Sequence, residues 1–106
     1  MSEKDIPKWF EQVKKRHPKF IDAVDQLGKV VREEGPLDEK TVHLIQLAAA
    51  ATIRSEGAVH SHTKRALEAG AKEEEISHAI ILLTSTIGFP NVSAALSWAE
   101  DVIGAK

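Results

Sequence analysis

Apolar residues recur with helical spacing along the whole chain. Within each segment they return every three or four positions, as they do when one face of a helix packs inward. No segment has the strict alternation of apolar and polar residues that is typical of a half-buried strand. Proline stands near the starts of segments and glycine near their ends or bends, which suits helix boundaries. The pattern therefore predicts an all-α protein.

Six helices are predicted from this spacing. They cover roughly residues 7–16, 18–34, 39–55, 58–69, 73–87 and 90–103, with boundaries uncertain by a few positions. Asp38 is expected to cap the third helix, because an aspartate at the N-cap accepts a hydrogen bond from an N–H of the first turn. At 106 residues the chain is expected to form a single domain, residues 1–106.

The predicted fifth helix contains the stretch AIILLTSTIGF, which is apolar around most of its circumference. Such a helix must be covered on all sides, and a chain this short has few helices to cover it. We therefore expect partner subunits to cover it in a homo-oligomer. The alternative is that it forms the central helix of a monomeric bundle.

Composition narrows the classes of function. The chain has 14 basic and 16 acidic residues, a net charge of -2, so it lacks the basic surplus of a nucleic-acid-binding protein. No stretch approaches the ~18 apolar residues of a membrane span, and the first residues lack the apolar core of a signal peptide. We expect no nucleic-acid or membrane partner and a cytoplasmic location. None of the 106 residues is a cysteine, so thiolate catalysis, disulfides and cysteine-bound metals are excluded for them.

The segment from Thr41 to Val102 resembles the alkyl hydroperoxidase D-like family, which shares its fold with the carboxymuconolactone decarboxylases. The resemblance is carried by HTKRALEAGA, by EEEI after it, by an apolar helix ending in GFPN, and by an alanine-rich last helix. It implies an alkyl hydroperoxidase D-like bundle of about six helices, with the family core at about residues 38–104. The expected homo-oligomer would then be an assembly such as a trimer or a hexamer.

Redox members of that family open the fourth helix with Cys-x-x-Cys, place a histidine four residues later, and carry a glutamate on the preceding helix. Alignment on HTKRALEAGA puts the histidine at His62, the two cysteine positions at Ser55 and Ala58, and the glutamate position at His43. The resemblance suggests a peroxidase or peroxiredoxin-like label. However, serine and alanine cannot cycle between dithiol and disulfide, so thiol peroxidase chemistry is impossible here.

Carboxymuconolactone decarboxylases proper keep a histidine in the corresponding helix without requiring the cysteine pair. The resemblance thus implies a non-redox, cofactor-free enzyme, a lyase that acts on a small anionic substrate. His62 would be the general acid or base, because histidine titrates near neutral pH, and His43 would assist it. The alternative is a non-catalytic ligand-binding or structural paralogue that kept the scaffold after the thiols were lost.

A metal shared by His60 and His62 is not expected. Positions two apart on a helix point about 200° away from each other, whereas a helical chelate uses spacings of three or four. His60 is therefore expected to face solvent or a subunit boundary. A site formed by His43 and His62 with Glu56, or with another subunit, stays open as an alternative.

Three further polar residues have a structural and a functional interpretation. Ser55 is expected to be an N-cap rather than a nucleophile, because no Gly-x-Ser-x-Gly elbow is present. Arg54 and Lys64 are the nearest candidate anchors for a substrate carboxylate, and the more common role of such residues is that of surface charges.

Overall fold

The computed structural model describes residues 8–105, and every regular element among them is a helix. The helices are α1 (Lys8–Arg16), α2 (Pro18–Glu33), α3 (Glu39–Thr52), α4 (Glu56–Glu68), α5 (Glu73–Ile81), α6 (Thr84–Ile87) and α7 (Phe89–Ile103). The prediction of an all-α fold is confirmed. The predicted start of the first helix at residue 7 lies outside the described residues.

The chain divides into two compact units, Met1–Leu37 and Asp38–Lys106. In the first unit α1 packs against α2, and Pro18 occupies the first turn of α2, where a missing N–H leaves no bond unmade. Ile21 is the buried residue of α2, while its other large apolar side chains are exposed: Phe20, Val24, Leu27, Val30 and Val31. The expectation of one domain over residues 1–106 stays a prediction.

The second unit contains α3 to α7 and has its own apolar core. In it α3 packs against α4 and α5, and α7 packs against α4, α5 and α6. The buried core residues are Leu47, Ala50, Ala51, Val59, Ala66, Ala71, Ile76, Ile80, Val92, Ala95 and Ala99. Six of these eleven are alanines, and small side chains at a contact let helix axes approach closely. This close approach allows polar side chains on neighbouring helices to meet.

A tight connection returns the chain from α3 to α4. The Arg54 N–H donates to the Ala51 carbonyl at 3.1 Å, and the Ser55 N–H donates to the Ala50 carbonyl at 3.0 Å. These two bonds form the Schellman motif that ends many helices. The motif requires a left-handed residue, and Arg54 supplies it with φ of 57°. No other non-glycine residue among positions 8–105 has a positive φ.

Side-chain and backbone hydrogen bonds set the starts of the helices. The Thr41 N–H donates to Asp38 Oδ1 at 2.8 Å, so the predicted cap of the third helix is confirmed. Hydrogen bonds from the Thr41 side chain and from its N–H lower the pKa of the Asp38 carboxyl. At the start of α5 the Lys72 N–H donates to Glu75 Oε1 at 2.8 Å, and that bond is the main reason that the pKa of Glu75 is lowered. Glu75 also accepts from Lys40 Nζ at 3.1 Å, which ties α5 to α3.

The predicted fifth helix over residues 73–87 is wrong as one continuous element, because it divides into α5 and α6. The Leu83 N–H donates to the Ile80 carbonyl three residues back, and the Thr84 hydroxyl donates to the Ile81 carbonyl at 2.7 Å. These bonds interrupt the regular four-residue ladder. Ile81 and Leu82 nearby are 50% and 64% exposed, so the described residues of the second unit leave part of this segment uncovered.

No helix among the described residues combines the length and the apolar character that crossing a lipid bilayer demands.

Candidate functional site: a histidine pair between α3 and α4

Two imidazole rings meet where α3 packs against α4. His43 Nδ1 and His62 Nδ1 are 3.4 Å apart, and the ring centroids are 5.6 Å apart with the planes tilted by 32°. At this distance one nitrogen donates an N–H and the other accepts it, so the pair can hold a proton between its two rings. The family resemblance implies that His43 assists His62, which requires the two rings to lie close together, and the structure brings them together.

The position of each histidine follows from the buried face of its helix. His43 stands one turn before Leu47, which is fully buried, and is itself only 3% exposed. His62 lies between Val59 and Ala66 along α4, at the margin of that helix's buried face. Residues three or four apart share one side of a helix, so both rings are directed towards the interior. A buried imidazole needs a polar partner, and each ring supplies one to the other.

This arrangement is suited to proton transfer. Histidine is the side chain whose ordinary pKa lies closest to neutral pH, and it is the most frequent general acid or base in enzymes. With two rings in contact, the ring that gives up a proton can receive another one from its neighbour. Two imidazoles also lack the negative charge that the family glutamate would bring, which favours an anionic ligand.

The two positions that align with the family's cysteines have a structural role. Ser55 Oγ accepts a hydrogen bond from the Ala58 N–H at 3.3 Å and so caps α4. The prediction that Ser55 is an N-cap is confirmed. The Ala58 N–H in the first turn of α4 therefore has a hydroxyl as its acceptor. In a redox relative the same helix end would stabilise a thiolate.

His60 is half-buried beside α7, and the expectation that it faces solvent or a subunit boundary stays a prediction. Its Nε2 lies 3.0 Å from Asp101 Oδ2 on α7 and 3.9 Å from Glu56 Oε2 on its own helix. The predicted divergence of His60 and His62 is confirmed, because one ring contacts α7 and the other contacts α3. Glu56, considered from the sequence as a partner of the His43–His62 pair, is placed beside His60 instead.

Arg54 is exposed, as expected of a surface charge, but its side chain is held against α7. Its guanidinium donates to Asn91 Oδ1 and lies 5.8 Å from the centroid of the Trp98 ring. Sequence reasoning did not identify Asn91 or Asp101 as partners. Asn91 lies within the family segment GFPN, which was the available signal, whereas nothing near Asp101 in the sequence points to His60. Lys64, the other candidate anchor, is half-buried on α4.

Comparisons with known proteins agree with this fold. The sequence model of the carboxymuconolactone decarboxylase family matches residues 18–101. An uncharacterized protein of Methanocaldococcus jannaschii is 38% identical over 94 residues, which is 89% of this chain and 88% of that protein. Uncharacterized protein 4 in the cox locus of Paracoccus denitrificans is 31% identical over 87 residues, 79% of this chain and 78% of that protein.

A solved structure supports the same assignment at the level of the fold. The chain is similar to the crystal structure of apo-lpg0406, a carboxymuconolactone decarboxylase family protein from Legionella pneumophila, with a TM-score of 0.78 and 24% sequence identity. The likeness covers 93% of this chain and 91% of that one. The likeness shows the fold, while the match over residues 18–101 and the 38% identical relative show the family: the chain belongs to the carboxymuconolactone decarboxylase family.

Proposed function

We propose that this protein is a non-redox, cofactor-free enzyme of the carboxymuconolactone decarboxylase type, in which His43 and His62 act as acid and base on a small anionic substrate. The observation that carries the proposal is the 3.4 Å contact between the two Nδ1 atoms. Thiol peroxide reduction has no part in it, because the chain has no cysteine.

The proton balance of a decarboxylation suits a histidine pair. The bond between the substrate carbon and its carboxylate breaks, carbon dioxide leaves, and the electron pair stays on the substrate as an enolate-type anion. That anion must then take up a proton, which His62 delivers to the carbon from its ring. His43 returns a proton to His62 through the Nδ1 contact, and water restores the proton to the pair.

A non-catalytic paralogue that binds a ligand or has a structural role is the second candidate. It is favoured by the replacement of three family positions at once, since Ser55 and Ala58 stand for the cysteines and His43 for the glutamate. In this case the histidine contact would hold α3 against α4 without any turnover. The two candidates therefore differ in whether the pair changes a substrate or only the stability of the fold.

Turnover of carboxylated lactones, including carboxymuconolactone, separates the two candidates when it is followed by release of carbon dioxide. We expect His62→Gln to lower the rate by roughly 10²- to 10⁴-fold, the usual contribution of a positioned acid or base. His78→Gln is the matched control, because His78 is an exposed histidine on α5, and it should leave the rate unchanged. Circular dichroism verifies that each variant is folded.

Each other outcome has a definite meaning. If no lactone is turned over but one raises the melting temperature, and His62→Gln abolishes that rise, the protein is a binding paralogue. If the panel produces neither turnover nor thermal protection, the structural role is favoured. Equal turnover by His62→Gln and the native chain would refute the proposed catalytic role of His62.

A homo-oligomer, such as a trimer or a hexamer, is also part of the proposal. It is supported by the large apolar side chains that the single chain leaves exposed, at Ile81 and Leu82 and on α2 (Phe20, Val24, Leu27, Val30 and Val31). Contiguous exposed apolar surface is typical of an interaction site. Sedimentation at micromolar concentration should give a multiple of 11.6 kDa, and a monomer alone would refute the oligomer. The cytoplasmic location stays a prediction.

A further inference from the structure

Three side chains of types that can bind a metal converge where α4 packs against α7. Glu56, His60 and Asp101 each offer one ligand atom, and these atoms all lie within 4.8 Å of one another. His60 Nε2 is the central atom, at 3.0 Å from Asp101 Oδ2 and 3.9 Å from Glu56 Oε2. We propose that these residues bind a divalent transition-metal ion, with zinc as the representative ion.

The backbone holds the three residues in place. Glu56 and His60 are four residues apart on α4, the spacing that puts two side chains on one face of a helix and suits a helical chelate. Asp101 comes from α7, which packs against α4. Val59 and Val102, the neighbours of His60 and Asp101, are buried in the second unit. The two carboxylate side chains are 58% exposed, so they can adjust around an ion while the backbone stays fixed.

The separations of the ligand atoms agree with the geometry of a bound ion. Zinc binds nitrogen and oxygen ligands at about 2.0–2.1 Å, and tetrahedral angles then place two ligand atoms about 3.4 Å apart. The two distances from His60 Nε2, 3.0 and 3.9 Å, lie on either side of that value, and the two carboxylate oxygens lie within 4.8 Å of each other. The Glu56 side chain is exposed, so its carboxylate can move towards the ion, and water can occupy the fourth position.

The chemistry of the ligands selects the class of ion. One imidazole nitrogen and two carboxylate oxygens favour zinc or a similar divalent ion over calcium, which prefers oxygen ligands alone, and over copper(I), which prefers sulfur. Two carboxylates also balance the charge of a divalent ion. The site is separate from the histidine pair, because His60 contacts α7 and His62 contacts α3. The inference therefore does not depend on the proposed function.

Isothermal titration of the metal-free full-length chain with zinc chloride tests this proposal. We expect one zinc ion per chain and a zinc-dependent rise in melting temperature. His60→Ala and Asp101→Asn should each weaken binding at least about 10-fold, because each removes one of three protein ligands. Asp101→Asn keeps the shape of the side chain and a hydrogen-bond acceptor for His60, so it separates loss of a ligand from loss of the fold. His78→Ala, at an exposed histidine on α5, is the matched control and should bind zinc like the native chain.

Three outcomes would overturn the site. The first is no heat of binding at zinc concentrations up to about a hundred micromolar, the weak end of protein metal sites. The second is unchanged affinity in both His60→Ala and Asp101→Asn. The third is affinity that is lost in His62→Gln but kept in His60→Ala, because the ion would then bind at the histidine pair. In each case the contact of His60 with Asp101 is a hydrogen bond between helices and nothing more.

Discussion

Substitutions of Arg54 can measure the backbone strain at the turn that joins α3 to α4. The residue has φ of 57°, a conformation that glycine adopts freely and that costs a residue with a Cβ roughly 1–2 kcal/mol. Two substitutions separate this strain from the contacts of the side chain. Arg54→Ala removes the contacts and keeps the Cβ, whereas Arg54→Gly removes both.

The magnitudes follow from the contacts of the guanidinium. The hydrogen bond to Asn91 is made by exposed groups and contributes about 0.5–1.5 kcal/mol. The contact of the exposed guanidinium with the half-buried Trp98 ring contributes about 0.5–1 kcal/mol. Arg54→Ala should therefore destabilise the fold by about 1–2.5 kcal/mol. Arg54→Gly loses the same contacts but removes the backbone strain. The greater conformational freedom of glycine in the unfolded chain lowers the free energy of unfolding by about 0.5–1 kcal/mol and so offsets part of this gain.

The expected result is that the glycine variant is more stable than the alanine variant by about 1 kcal/mol. In a domain of this size that difference corresponds to about 4–8 °C in melting temperature. Urea unfolding followed by circular dichroism, at one fixed protein concentration, measures it without relying on tryptophan fluorescence, which the loss of the Arg54–Trp98 contact would itself change.

Ala49→Gly is the matched control, because Ala49 is exposed within α3 and has an ordinary helical backbone. At this position the glycine variant should be less stable than the native chain, by about 0.5–1 kcal/mol. If Arg54→Ala proves as stable as Arg54→Gly, or more stable, the left-handed backbone of Arg54 is not strained and the reasoning fails.

Three further predictions concern the second unit. Asp38→Ala should lower the urea midpoint of unfolding, because it removes the acceptor for the Thr41 N–H, while Asp38→Asn should lower it much less; equal losses would contradict the cap. The pKa of Glu75 is lowered in the folded chain, so the stability that its charge contributes is present above its ordinary pKa and is lost as the pH falls through the lower folded value. The difference in unfolding free energy between the native chain and Glu75→Gln should therefore shrink on acidification from pH 6 to pH 3, and a difference that grows would be contrary to this linkage. Leu47→Ala should cost about 2–5 kcal/mol in the same urea assay, since the residue is fully buried, whereas Ile45→Ala, at a site that is 53% exposed, should cost far less in the monomer; similar losses would show that the core is placed wrongly.

The sequence was sufficient where the physical cause is local. Asp38 and Ser55 were recognised as N-caps because each accepts from an N–H three residues along the chain. The helices followed from the spacing of apolar residues for the same reason. The break between α5 and α6 was not predicted, because a segment that is apolar on every side has no periodicity to interrupt.

The histidine pair could be found in the sequence only through the family resemblance. His43 and His62 are 19 residues apart on different helices, and no spacing rule joins them. The alignment placed them at positions that act together in relatives, and the tight turn at Arg54 together with the packing of α3 on α4 supplied the distance. Their contact was therefore expected, while its geometry required the coordinates.

Only the tertiary structure decided the contacts that α4 and the turn before it make with α7. His60 and Asp101 are 41 residues apart, and Arg54 and Asn91 are 37 residues apart. A helical pattern reveals which face of each helix is apolar, but it does not specify how far one helix slides or rotates against another. Those offsets are set by how the small side chains of the core pack together, and they determine which polar residues meet at the edge of the interface.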